Sequence, residues 1–304
     1  MIVRLIVTAA ILALLATTID MTAAARAVAA VDRGYLLLVL ALVAIDRMVM
    51  ILRWVLLLRA SGVDVSATDA AKIFLVSSFV GSFLPAGVGG DVARTWGLTR
   101  VTSKGSEALA SVVIDRLLGV LSLIVMGAVG FVLWTGDAGA DWRTVVAIGM
   151  LTAMCITVFF ADRIARAVVP THLHGGRLGE RVLHLTDAVS RYRGRGTVLV
   201  HVMFWSLTVQ VLRIAQAYLL GLGLGIAVPF RYYVVFMPVG LLMLLLPVSI
   251  SGFGLPQGVI VWLLRPMGVA DEQSFALSTL IVLTGLAGNL PGLWLWLRKR
   301  RQIL

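Results

Sequence analysis

The sequence predicts an all-α, polytopic membrane protein, arranged as an inverted repeat around two re-entrant, broken-helix hairpins. Three observations predict it. Hydrophobic residues fill 60% of the 304 positions and charged residues only 13%, with a mean hydropathy of +1.00, so bilayer hydrocarbon rather than water is the main solvent. Six apolar runs are long enough to cross a membrane, which takes about 17 residues or more. Two further runs are each interrupted near the middle by proline, glycine and small polar residues. The longest stretch without strong hydrophobicity, Asp162 to Gly196, is too short for a separate soluble domain. Residues 1–304 are therefore read as a single transmembrane domain.

The first span is Ile2 to Ile19. Arg4 ahead of it and Ala23 to Ala25 behind it have the flanks of a signal peptide, but the length of the run favours an uncleaved span. The second span is Tyr35 to Leu58. Ala70 to Arg100 follows, broken at Pro85, Gly87, Gly89 and Gly90; at ~1.5 Å per residue neither half reaches across a ~30 Å core, so the pair reads as a hairpin that enters and leaves on one side. Ser106 to Trp134 is the third span and Arg143 to Ala161 the fourth. Between Arg177 and Arg193, Leu178, Val182, Leu185, Val189 and Tyr192 recur at helical spacing among charged residues, an amphipathic helix that lies on the inner leaflet or against the protein's own loops. Thr197 to Leu222 is the fifth span. The second hairpin, Phe230 to Leu264, is broken around Pro247, and Ser274 to Leu297 is the sixth span.

Loop charges orient these elements. Seven arginines between Ala161 and Gly196, and Arg298, Lys299, Arg300 and Arg301 at the end, mark cytoplasmic segments; Asp137 and Asp141 mark an external loop. Both termini are then cytoplasmic and the two hairpins enter from opposite faces. The order span, span, hairpin, span occurs twice, over about residues 1–135 and 143–300. LPAGVGGD from Leu84 parallels LPVSISGFGLPQ from Leu246, and Arg53 and Arg213 precede the two Leu-Pro breaks by 32 and 34 residues. Broken helices at membrane depth imply a protein-lined polar cavity, because lipid tails satisfy no backbone group.

Candidate binding residues cluster around that cavity. Gly89 and Gly90 open the backbone of the first break. Asp91 starts the following half-helix, as an orienting carboxylate or simply as its cap, and Arg94 lies one turn on. Ser249, Ser251 and Gly252 offer hydroxyls and open backbone at the second break, where Gln257 takes the place of Asp91. Asp46, Arg47, Arg53, Asp115, Arg116 and Arg213 sit inside full spans, where each ion costs about 2.5 to 3.5 kcal/mol to insert. Two roles are open to them: contact with a substrate, or salt bridges that hold the bundle together. Asp115 and Arg116 point ~100° apart on one helix, so each seeks its partner elsewhere.

Other classes are excluded. The formal charge of +11 flanks hydrophobic spans, which fits topology and anionic lipid rather than nucleic acid. Cys155 is the sole cysteine, His172, His174, His184 and His201 lack zinc-ligand spacing, and GLGLG from Gly221 follows a membrane span rather than a strand. No hydrolase, metalloprotease or P-loop motif is present. No cofactor, metal or enzymatic machinery is expected.

FLPAGVGGDVARTWGLTR from Phe83 to Arg100, SVVIDRLLG from Ser111 to Gly119, LPVSISGFGLPQG from Leu246 to Gly258 and NLPGLWLW near the end resemble the transmembrane region of the lysylphosphatidylglycerol synthase/flippase family. One departure is visible: this family's second hairpin carries an Arg-Glu pair, where this chain reads Leu255, Pro256 and Gln257. The resemblance implies a helical inverted-repeat bundle that moves a phospholipid or polyprenyl-linked lipid between leaflets of a bacterial-type plasma membrane, without the soluble synthase domain of larger members. Arg53, Arg94, Arg116 and Arg213 are then expected to meet phosphate, with Asp91 and Asp115 orienting them or attracting a cationic headgroup. Two other functions are open: a non-catalytic membrane partner of a lipid-modifying enzyme or glycosyltransferase, and a membrane-embedded polyprenyl-lipid transferase.

Overall fold

The computed structural model describes residues 15, 17–84, 88–135, 149, 192, 194–244 and 254–303, and all regular structure among them is helical. A short helix α1 (Met21–Ala29) is capped by Asp20, whose carboxylate accepts the Thr22 and Ala23 amides. Asp32 caps α2 (Arg33–Ala60) in the same way. Next come α3 (Ala67–Phe83), capped by Ser66, and α4 (Val88–Thr102), then α5 (Gly105–Thr135). The second half holds α6 (Gly196–Gly223), α7 (Phe230–Leu244), α8 (Leu255–Leu264), α9 (Asp271–Ala287) and α10 (Leu290–Ile303).

Four passages among the described residues are long and apolar enough to cross a membrane: Arg33–Ala60, Gly105–Leu133, Gly196–Gly223 and Asp271–Arg298. They coincide with the second, third, fifth and sixth expected spans. The expected spans Ile2 to Ile19 and Arg143 to Ala161 lie for the most part outside the described residues, as does nearly all of the helix expected at 177–193. The last passage is built of two helices, α9 and α10. Pro291 has no amide to give the Ala287 carbonyl, and the turn tightens instead, Asn289 bonding to the Leu286 carbonyl and Gly292 to the Asn289 carbonyl.

Helices α2 and α6 form a central antiparallel pair: Asp46 faces Arg213 and Arg53 faces Ser206, near the middle of two 28-residue helices. Helices α3 and α4 pack on each other, α4 on α5, and α10 on α3; likewise α7 packs on α8, α8 on α9, and α7 on α5. Helices α3, α4 and α7 have 17, 15 and 15 residues and α8 has 10, so each is ~25 Å or shorter, less than the ~30 Å hydrocarbon thickness. Lys104, after α4, donates to the Gly62 carbonyl, before α3, so that pair begins and ends at one end of the bundle. Gln273, after α8, donates to the Leu224 carbonyl, before α7, at the other end.

Four core clusters hold the described elements, and two of them flank the middle of α2. Val39 and Val43 of α2 pack with Ile214, Leu220, Tyr233, Phe236, Leu264 and Leu277; Trp54 and Leu58 pack with Phe74, Leu98 and Ala108. The outer faces are apolar too, with Leu37, Met48, Val132, Val200 and Trp262 exposed. Hydrocarbon outside and hydrocarbon inside explain this, since lipid tails are as apolar as leucine.

Candidate functional site

Between α2, α3, α4, α5 and α6 lies a cavity of about 290 Å³. Its wall is built from Met50 and Arg53 of α2, Ser78, Gly81 and Ser82 of α3, Gly90, Asp91 and Arg94 of α4, Asp115, Arg116 and Gly119 of α5, and Gln210 and Arg213 of α6. Close approach of α3 and α4 shapes one side. A Cβ on Gly81 would fall 2.7 Å from the Gly90 Cα, so two glycines set that contact.

Three ion-pair systems meet at the cavity. Asp115 accepts from Arg53 Nε at 2.8 Å through one oxygen and from Arg94 Nη1 at 3.2 Å through the other. All three side chains are below 10% exposure. Arg53 also donates to Ser206 Oγ at 3.1 Å, which ties α2, α5 and α6 at one point. Asp91 pairs with Arg116 Nε at 2.7 Å, nearer the opening, where Arg116 is 43% exposed. Asp46, behind the cavity, lies 3.4 Å from Arg213 Nε and 3.8 Å from Arg47 Nη1. Asp115 and Arg116 thus part, one toward Arg94 and one toward Asp91, as adjacent positions on a helix must.

Arg94 is held by aromatic rings as well as by charge. Its guanidinium lies 4.3 Å from the Phe74 ring centre and 5.3 Å from that of Trp54. Trp54 is in turn fixed by its indole N–H on Ser111 Oγ at 3.3 Å. The Nε of Arg94 has no hydrogen-bond partner among the described residues, and neither does Gln210 Oε1, while Gln210 Nε2 donates to Ser122 Oγ at 2.9 Å. The wall therefore keeps unused polar capacity at a buried place. Four arginines against two aspartates leave the lining with two surplus positive charges.

The sequence-predicted residues divide four ways. Arg53, Gly90, Asp91, Arg94, Asp115, Arg116 and Arg213 all come together on the cavity wall. Gly89 lies one residue off it, against Leu84. Gln257 is fully buried elsewhere, its Oε1 accepting the Gly254 amide at 2.6 Å at the start of α8. Ser249, Ser251 and Gly252, with Pro85 and Pro247, lie outside the described residues. Ser78, Ser82, Ser206 and Gln210 were not singled out from the sequence. Their signal was an uncharged polar side chain in an apolar run, weaker than a charge because its insertion cost is smaller.

A family model, the lysylphosphatidylglycerol synthase TM region, matches residues 1–292, nearly the whole chain. The chain belongs to this family. No curated protein matches it. In this member of the lysylphosphatidylglycerol synthase TM region family, the Gly-Gly-Asp-x-x-Arg string opens α4 and the Val-x-x-Asp-Arg string lies in α5. Helix packing joins those strings, 25 residues apart from Asp91 to Arg116, into one ion-paired wall.

Proposed function

We propose that this chain is a lipid flippase of a bacterial-type plasma membrane, moving an anionic or aminoacylated phospholipid, or a lipid-linked precursor, between leaflets. The arginine-rich cavity carries the reading. Its surplus positive charge suits phosphate, and guanidinium groups match phosphate oxygens in shape as well as charge. That surplus favours the anionic cargo over an aminoacylated, cationic headgroup. No covalent chemistry is assigned to the wall: the protein acts by binding and by changing shape, and both termini are cytoplasmic in this reading.

An inverted repeat supplies the means of alternating access. Support comes from contacts that recur under a shift of about 160 residues. Arg53 meets Ser206 while Arg213 meets Asp46, each arginine seven residues after the group that its counterpart meets. Gly130 of α5 lies against the Val234 carbonyl of α7, and Gly292 of α10 lies against the Leu75 carbonyl of α3. Helix pairs that begin and end at opposite ends of the bundle, each too short to cross, support two re-entrant hairpins of opposite entry.

The test is leaflet exchange in proteoliposomes reconstituted with the purified chain. Fluorescent phosphatidylglycerol should cross, and Arg94→Ala and Arg116→Ala should each abolish crossing while the protein remains monodisperse. Normal exchange by both variants removes the mechanism. Absence of exchange by the wild-type chain together with co-purification of a lipid-modifying enzyme or glycosyltransferase would favour the partner role instead.

A further inference from the structure

A second hollow lies beside the arginine cavity. It measures about 240 Å³ and is walled by Phe79 and Phe83 of α3 and by Leu283, Leu286 and Leu290 of the last passage. Its origin is the break in that passage. Gly292 seats α10 directly on the α3 backbone, whereas α9 packs on α1, α8, α6 and α2, so the two arms diverge and leave a wedge beside α3. Phe83, Leu290 and Leu283 are 64%, 54% and 43% exposed, which opens the wedge to the surrounding hydrocarbon.

The two hollows share a residue. Ser82 lines both, and its hydroxyl accepts the Asn289 side-chain N–H at 2.8 Å. Asn289 Oδ1, buried beside it, has no hydrogen-bond partner among the described residues. Along one line the wall therefore passes from surplus positive charge, through a small neutral polar neck, to bare hydrocarbon. A phospholipid has the same order of phosphate, ester and chain.

We infer that the wedge between α3 and the α9–α10 joint is a chain slot, holding one hydrocarbon tail of the same anionic lipid whose phosphate occupies the arginine cavity. The inference rests on the proposed headgroup reading and adds the route by which the tail accompanies it. Because lipid tails are as apolar as the slot, burial alone gives no preference for it over bulk bilayer. Selection comes from shape. Phe79 and Phe83, edge to face with centroids 5.1 Å apart, make a stiff wall on one side.

Photolabelling of the full chain tests this, in phosphatidylcholine nanodiscs containing a trace of phosphatidylglycerol with a mid-chain diazirine. Adducts mapped by peptide mass spectrometry should concentrate on Phe79, Phe83, Leu283 and Leu286, relative to the exposed Leu37, Val200 and Trp262. Excess unlabelled phosphatidylglycerol should remove them. Leu283→Trp, which fills the slot from its open side without entering the core, should lower them roughly tenfold, by overfilling the space. Ala287→Phe should do the same from the inner side. Adducts spread evenly over all these positions and indifferent to competitor overturn the slot; if Arg94→Ala still abolishes exchange, the cavity reading survives that result. Saturable adducts that zwitterionic lipid displaces equally well, and that Arg94→Ala leaves unchanged, overturn the shared-lipid proposal, and the cavity reading falls with it only where Arg94→Ala and Arg116→Ala also leave exchange normal.

Discussion

Asp115 balances the buried part of the wall, because one carboxylate answers two arginines that have little water to turn to. Its replacement by asparagine keeps the volume and removes the charge, leaving Arg53 and Arg94 buried against each other's field. Breaking a buried pair from one side costs about 3 to 5 kcal/mol. Asp115→Asn should accordingly aggregate well below the wild-type temperature when heated in detergent, and Asp115→Asn with Arg53→Met should recover much of the loss; a single variant as heat-stable as wild type would show that the bridges do not hold the bundle. A second expectation concerns Arg94, stacked on Phe74 as well as charged. Arg94→Lys should lose exchange nearly as completely as Arg94→Ala, since an ammonium neither stacks flat nor forks toward two oxygens, and proteoliposome rates check it. The ionic members of this wall were legible in the sequence because a charge inside a membrane span is conspicuous. Which charge faces which was not, since the Asp115–Arg94 and Arg116–Asp91 partnerships depend on how two helices pack. Ser206 and Gln210 passed unnoticed because hydroxyls and amides are common in spans and carry no comparable insertion cost.

At the scale of helices, close backbone contact replaces hydrophobic drive. Pro238 lies inside α7 and gives no amide to the Val234 carbonyl, and that carbonyl faces Gly130 of α5. Leu75 of α3 presents its carbonyl to Gly292 of α10 in the same way. Any side chain at either glycine would collide with backbone, which cannot rotate aside. Gly130→Ala and Gly292→Ala should each destabilise the chain by about 1 to 3 kcal/mol through overpacking, read as earlier loss of the monodisperse peak on heating. Gly285→Ala, where nothing lies within 4 Å, should be neutral. Four crossing passages were readable in the sequence to within a few residues, since the length of an apolar run maps directly onto membrane thickness. The break at Gly288–Asn289 was hidden by the same logic. Hydropathy averages over Asn289 and Pro291, and only the backbone bonding around them reveals two helices.

At the scale of the molecule, the antiparallel crossing of α2 and α6 separates the two helix pairs that begin and end on one side. Asp64 and Lys104 flank α3 and α4 at one end; Ala227 and Ala270 flank α7 and α8 at the other. The internal likeness visible in the sequence lies in a repeated order of spans and hairpin, two Leu-Pro breaks and a pair of arginines. The contacts that support the proposed repeat, Arg53 with Ser206 and Arg213 with Asp46, join different helices and are absent from a one-dimensional reading. An inverted repeat makes a topological demand that a parallel repeat does not. With Cys155→Ala as background, single cysteines at Asp64 and Lys104 should react with a membrane-impermeant maleimide from the face of the carboxy-terminal tail, and those at Ala227 and Ala270 from the opposite face. Intact right-side-out and inverted vesicles give the two readouts. All four positions labelling from one face would mean that the halves run parallel, and a mechanism of rocking between oppositely oriented halves would lose its basis.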